Sequence, residues 1–219
     1  MAWGLSFDNN VDGGDPINDM TGEFQNEKQN FPVFMLGGAT TTGVERAFLA
    51  RPEKPFLIPL ITTSCVSSNG FDCNDPGVVE FVDQLLDNVN SLFLTVDGTL
   101  LISANTVDEV DQIEAEFRYR TPNFDVEVAP NNWAGESAGI WPNSYQAGYF
   151  AFIDLPVGEH RISFGGSRTG SDPFSNSVDA TITVVPIPAA LPLFAGALAG
   201  LGVVAWRKGK AAEWRAPTR

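Results

Sequence analysis

Ser91-Leu-Phe-Leu-Thr-Val-Asp-Gly-Thr-Leu-Leu-Ile-Ser103 is the stretch that decides the fold. Two short apolar runs flank Asp97-Gly98, a dipeptide suited to the two positive-φ positions of a tight hairpin turn. The chain repeats this pattern on both sides. Phe31–Leu36, Val44–Ala50 and Phe56–Ile61 come before it, with prolines 52, 55 and 59 pointing to strand edges or bulges. Ile113–Arg120, Phe124–Val128, Ala147–Leu155, His160–Phe164 and Val178–Val185 come after it. Ile113-Glu-Ala-Glu-Phe-Arg-Tyr-Arg120 alternates apolar and charged side chains, as a strand with one wet face does. One polar face per strand means half-buried sheets rather than sheets enclosed by helices. The expectation is a mainly β fold over residues 31–185: an antiparallel β-sandwich, Ig-like or jelly-roll-like.

One helix is expected within it, at about 75–90. Asn74-Asp75 offers a cap and Pro76 fits the first turn. Val78, Val82, Leu85, Leu86 and Val89 recur at helical spacing, with Glu80, Asp83 and Asp87 on the other side. Residues 1–30 are polar and turn-rich and read as a loosely docked lead-in. Pro130–Gln146 reads as a long loop crossing one end of the sheets, the kind of segment on which binding sites are built.

Charge is divided unevenly. Residues 1–184 hold 26 acidic and 8 basic side chains, a net of −18, whereas residues 185–219 carry a net of +4. So acidic a body repels phosphate backbones, which argues against nucleic acid as a partner. Cys65 and Cys73 sit eight apart across an Asn-Gly turn signal. That spacing can reach the ~5.5 Å Cα separation of a disulfide. Zinc would need further ligands, and the only histidine, His160, is remote in sequence.

No catalytic constellation stands out, and the expectation is a non-enzyme without metal or cofactor. Gly165-Gly-Ser-Arg-Thr-Gly170 and Gly37-Gly38 lack the Gly-Lys-Ser/Thr ending of a phosphate loop and read as turns. Asp8, Asn10, Asp12 and Asp15 have the odd spacing of a calcium loop, but the twelfth position is Asp19 rather than Glu; a solvated acidic turn is the expectation. His160 alternates with Ile162 and Phe164, so a strand histidine is expected rather than a catalytic base. Trp133, Trp141 and Tyr145 on the long loop are candidate glycan contacts, because aromatic faces with polar edges stack on sugar rings. They carry the alternative reading, a secreted carbohydrate-binding module or carbohydrate-active hydrolase.

The last 35 residues address location. From Ile187 to Trp206 no residue is charged, enough for a helix of roughly 30 Å. Arg207, Lys208 and Lys210 follow, and basic residues stay on the cytoplasmic side. A single pass through the inner membrane is expected, with residues 207–219 inside and the body outside. Met1-Ala-Trp-Gly-Leu-Ser-Phe-Asp8 has no basic n-region and no long apolar run, so an in-frame signal segment upstream of an internal start is expected.

Val185-Pro186-Ile187-Pro188-Ala189, followed by the apolar run and the basic cluster, resembles a PEP-CTERM sorting signal of the Val-Pro-Leu-Pro-Ala variant, with Ile187 in the Leu place. The resemblance covers residues 185 to about 210. It departs from the family in its broken basic cluster and in the nine residues that follow it. It implies handling by an exosortase at the inner membrane, then placement at the cell surface or in an exopolysaccharide matrix. The body, through Lys54-Pro-Phe-Leu-Ile-Pro-Leu-Ile61 and Leu155-Pro-Val-Gly-Glu-His-Arg-Ile-Ser-Phe164, resembles a group of bacterial secreted β-sandwich domains. That second resemblance implies a fold and a compartment and brings no activity with it.

Overall fold

A computed structural model describes residues 2–51, 54–67 and 72–186. Two five-stranded sheets dominate it. The first runs in the order β1 (Phe34–Met35), β3 (Phe56–Cys65), β8 (Gly139–Ile153), β6 (Arg118–Arg120), and β7 (Phe124–Val128) also pairs with β8. The second runs β2 (Val44–Ala50), β10 (Phe174–Val184), β9 (Gly158–Arg168), β4 (Val89–Val96), β5 (Thr99–Ala104). Inward rows from both sheets share one core, with Ile58, Leu60 and Tyr149 of the first joining Leu92, Phe164 and Ile182 of the second. At the hairpin between β4 and β5, Asp97 and Gly98 both take positive φ, 50° and 78°.

Both sheets are mixed, which corrects the antiparallel expectation. β1 pairs parallel with β3, and β2 pairs parallel with β10. Period-two alternation tells which face of a strand is buried and carries no information about its partner or direction. Val44, Arg46, Phe48 and Ala50 face inward on β2 as the alternation requires, yet the neighbour is the last strand of the domain.

Helix α2 (Pro76–Asp87) begins as the sequence predicts, with the Asp75 side chain accepting from the Gly77 N–H at 2.8 Å. Val82, Leu85 and Leu86 are buried on its inner face. Val89, expected to close the same stripe, instead opens β4 and is fully buried. A second long helix corrects the expected strand Ile113–Arg120: α3 spans Val107–Phe117, and only Arg118–Arg120 is strand. The Thr106 hydroxyl accepts from the Glu109 N–H, and the Glu109 carboxylate accepts from the Asn105 N–H. This reciprocal cap, with Asp108 and Glu109 in the first turn, sets the helix start. The alternating window is rich in Glu and Ala, both good helix formers, and Val110, Ile113 and Phe117 satisfy helical spacing equally well. Arg118 then pairs with Glu114 of α3 and Asp87 of α2, at 2.6 and 2.7 Å, tying both helices to the edge of the first sheet.

The first thirty residues are far from loosely docked. A one-turn helix, α1 (Ala2–Leu5), starts a segment in which Trp3, Leu5 and Phe7 are buried. Asp19 accepts from the backbone N–H groups of Thr21, Gly22 and Phe24. Burial acts to raise its carboxyl, but those donors and Gln25 outweigh it and hold the group below the ordinary carboxylate range. Inward-facing Arg46 donates to the carbonyls of Asp19, Ile17, Gly37 and Gly38, and burial pushes it down to about 10. A Cβ at Gly37 would meet the Pro16 carbonyl oxygen at 2.3 Å, so the close approach around this guanidinium needs glycine. The Ala47 N–H of β2 donates to the Thr21 carbonyl, which covers a sheet edge otherwise open to pairing. This order is built from side chain-to-backbone bonds that leave no periodic trace. Gly165-Gly166, expected in a turn, lies inside β9, where a Cβ at Gly165 would meet the Asn176 carbonyl oxygen at 2.2 Å. The uncharged run Ile187–Trp206 and the cluster Arg207, Lys208 and Lys210 lie outside the described residues. Among the described residues no helix is long and apolar enough to cross a membrane.

Candidate functional site

The three aromatic residues expected to contact glycan do not share an open surface. The expected loop is shorter, because β8 begins at Gly139 and pairs its first half with β7. Tyr145 therefore falls on an inward strand position, 1 % exposed, with its hydroxyl buried and unpartnered and Arg120 3.9 Å over its ring. That corrects its assignment as a surface contact. Trp133 and Trp141 are half-buried against a small cluster of Leu5, Val126 and Val128. Trp141 Nε1 donates to the Ser137 carbonyl at 2.8 Å. The turn between β7 and β8 is organised by buried Asn132, whose amide donates to the carbonyls of Ala129 and Glu136 while its oxygen accepts from the Ala134 and Glu136 N–H groups.

Cys65 and Cys73 are brought to disulfide distance, with Cα atoms 5.7 Å apart, joining the end of β3 to the approach to α2. His160 has both ring nitrogens occupied: Nδ1 is 2.8 Å from Asp97 Oδ2, and Nε2 is 2.8 Å from the Pro156 carbonyl. Both partners are acceptors, so only the imidazolium donates to both, and the Asp97 carboxylate accordingly raises the His160 pKa. The residue clamps the hairpin turn and offers no lone pair to a nucleophile. The acidic N-terminal turn is also occupied: Asp12 pairs with Lys28 at 2.8 Å, Asp8 accepts from Asn10 and Asn131, and Asp15 accepts from the Ile17 and Asn18 N–H groups. Among the described residues no group of three or more His, Cys, Asp or Glu converges as metal ligands would.

The feature that single-strand reading missed is the outer face of the first sheet. Antiparallel register places Phe152 beside Leu57, Phe150 beside Pro59 and Gln146 beside Ser64, all pointing away from the shared core. Trp3, Phe31, Met35, Tyr119 and Phe124 border this row and form a groove of about 460 Å³. Phe152 and Tyr119 are 58 % and 51 % exposed in it. A second cavity of about 280 Å³ adjoins it through Trp3, Met35, Leu57, Gln146 and Phe150. This cavity runs toward the second sheet, where Arg168, Phe174 and Asn176 line it. No Asp or Glu among the described residues lines either space, although 26 of the first 184 residues are acidic. Two side chains that line the inner cavity, Trp133 and Ser64, each bury a polar atom, Nε1 and Oγ, without a hydrogen-bond partner. Cross-strand pairing made this site, so only the alternate positions 57, 59, 150 and 152, all apolar, could have hinted at it.

Set against protein-family models, curated proteins and solved structures, the chain matches none of them.

Proposed function

We propose that the chain is an exported surface or matrix protein: a non-enzymatic β-sandwich held by its C-terminal segment until an exosortase acts near Val185–Ala189, then placed in the extracellular polysaccharide layer. The observation that carries this reading is where the fold stops. β10 ends at Val184, the Val185 N–H donates to the Ala50 carbonyl at 2.9 Å, and the compact unit closes at Val185, where the motif begins. A cut just beyond that point leaves every strand paired. The Cys65–Cys73 pair supports the same reading, because disulfides persist in oxidising compartments. No observation favours the carbohydrate-active alternative at Trp133, Trp141 and Tyr145, since Tyr145 is sealed in the core.

Replacing Pro186 and Pro188 together with alanine tests the reading in a host that carries an exosortase. Full-length protein should accumulate in the inner membrane fraction. Processing that proceeds as in the native chain would refute it.

A further inference from the structure

The acid-free groove has a shape and chemistry of its own, independent of how the chain is exported. Its long axis follows β8 from Phe152 to Gln146, six residues or about 20 Å at the rise of a strand. That is the reach of a long hydrocarbon chain. Its exposed lining is mainly apolar, from Phe31, Met35, Leu57, Phe124, Phe150 and Phe152 with Trp3 and Tyr119, while Arg120, Thr121 and Gln146 are its polar members, so a ligand with hydroxyls on every edge finds few partners. The lack of carboxylates gives a cationic ligand nothing to pair with. Among the side chains that line the adjoining cavity, Trp133 Nε1 is a buried donor without an acceptor, and Ser64 Oγ is a buried hydroxyl without a partner. Groove and cavity together fall in the size range of small-ligand sites.

We propose that this site binds a free long-chain fatty acid. The acyl chain lies along the Leu57–Phe152 row, and the carboxylate enters the inner cavity, where it accepts from Trp133 Nε1 and Ser64 Oγ. The inner cavity, about 280 Å³, accommodates a carboxyl group and a few methylenes.

Photolabelling of the full chain, held in phosphatidylcholine nanodiscs, with a diazirine analogue of hexadecanoate tests this. Peptide mass spectrometry should place the label on segments containing Phe150–Phe152, Leu57 or Trp133, and excess hexadecanoate should compete it away. Phe152→Glu and Phe31→Glu, both at exposed positions, should each lower that labelling at least tenfold while the thermal unfolding midpoint stays in place. Four outcomes overturn the proposal: label confined to residues 187–206, labelling unchanged in both variants, competition by dipalmitoyl phosphatidylglycerol equal to that by hexadecanoate, or competition by a soluble oligosaccharide in place of hexadecanoate.

Discussion

The outer faces of the two sheets are opposites. On the second sheet, Glu45, Asp179 and Ser163 stand in one cross-strand row, with Thr181 beside Arg161 in the next. Asp179 accepts from the Ser163 hydroxyl, and the row is polar and wet. On the first sheet the equivalent rows are Leu57 with Phe152 and Pro59 with Phe150, partly roofed by Trp3 and bordered by Phe31 and Phe124. A sheet needs one apolar face to make a core, and on the other face of the second sheet apolar side chains such as Leu49, beside Thr183, stand among polar ones. The first sheet has two apolar faces, and burial against its partner accounts for only one of them. An apolar row that folding does not require is where a binding function is best sought.

The difference depends on the first forty residues staying in place. Arg46→Ala should have the largest effect, because it leaves four carbonyls without their donor inside the fold. Breaking such a buried charged network costs about 3 kcal/mol or more. Urea unfolding should register this loss, and limited proteolysis should cut residues 1–40 first. A variant as stable as the parent would mean that the roof is held by something other than this guanidinium. Next comes Cys65→Ser with Cys73→Ser, which frees the end of β3 on the same sheet. Removing a cross-link across so short a loop should cost about 2.5 kcal/mol, measured as a lower urea midpoint. A midpoint that does not move would show the pair to be stabilising nothing. Thr106→Ala removes the α3 cap, which is not part of the groove lining, and should cost about 1 kcal/mol without touching ligand labelling.

Leu49 and Phe152 sharpen the comparison most directly, since each is 58 % exposed and they lie on opposite faces. Leu49→Glu and Phe152→Glu should both change stability by no more than ~0.5 kcal/mol. Of these two, only Phe152→Glu should lower labelling of the groove, by at least tenfold. Equal behaviour of the two variants would erase the distinction between the faces. The smallest effect expected is one of pH. His160 has a folded pKa above its ordinary 6.5, so its contribution is complete below about pH 6.5 and is lost as pH rises through the raised value. His160→Gln should flatten that part of the stability–pH curve, and an unchanged slope would show that the Asp97–His160 contact does not contribute.

What could be read in advance was whatever has a local rule behind it. Val44–Ala50 and Phe124–Val128 alternate cleanly and are strands at those bounds. Asp97-Gly98 turns as its residue types require, Asp75-Pro76 starts a helix, and Cys65 meets Cys73. The strand expectation fails at α3 because Ile113–Arg120 fits both periods, and the cap that decides for a helix, Thr106, lies seven residues upstream of that segment. The roof around Arg46 and Asp19 rests on bonds between side chains and distant carbonyls, which composition does not encode. The groove depends on which strand pairs with β8, and partner choice is a property of the whole chain. Tyr145 shows the cost of that gap: an aromatic residue assigned to a loop is a core residue because β8 begins at Gly139, eight positions before the expected Ala147.

On the proposed function, residues 1–185 work outside the cytoplasm after separation from the tail. The intact mass of the protein recovered from the envelope of a producing cell tests it most directly. The expected protein has its C-terminus within or just after Val185–Ala189 and a mass two hydrogens below that of the reduced polypeptide. A mass that still includes Arg219, with Cys65 and Cys73 both free, would contradict it.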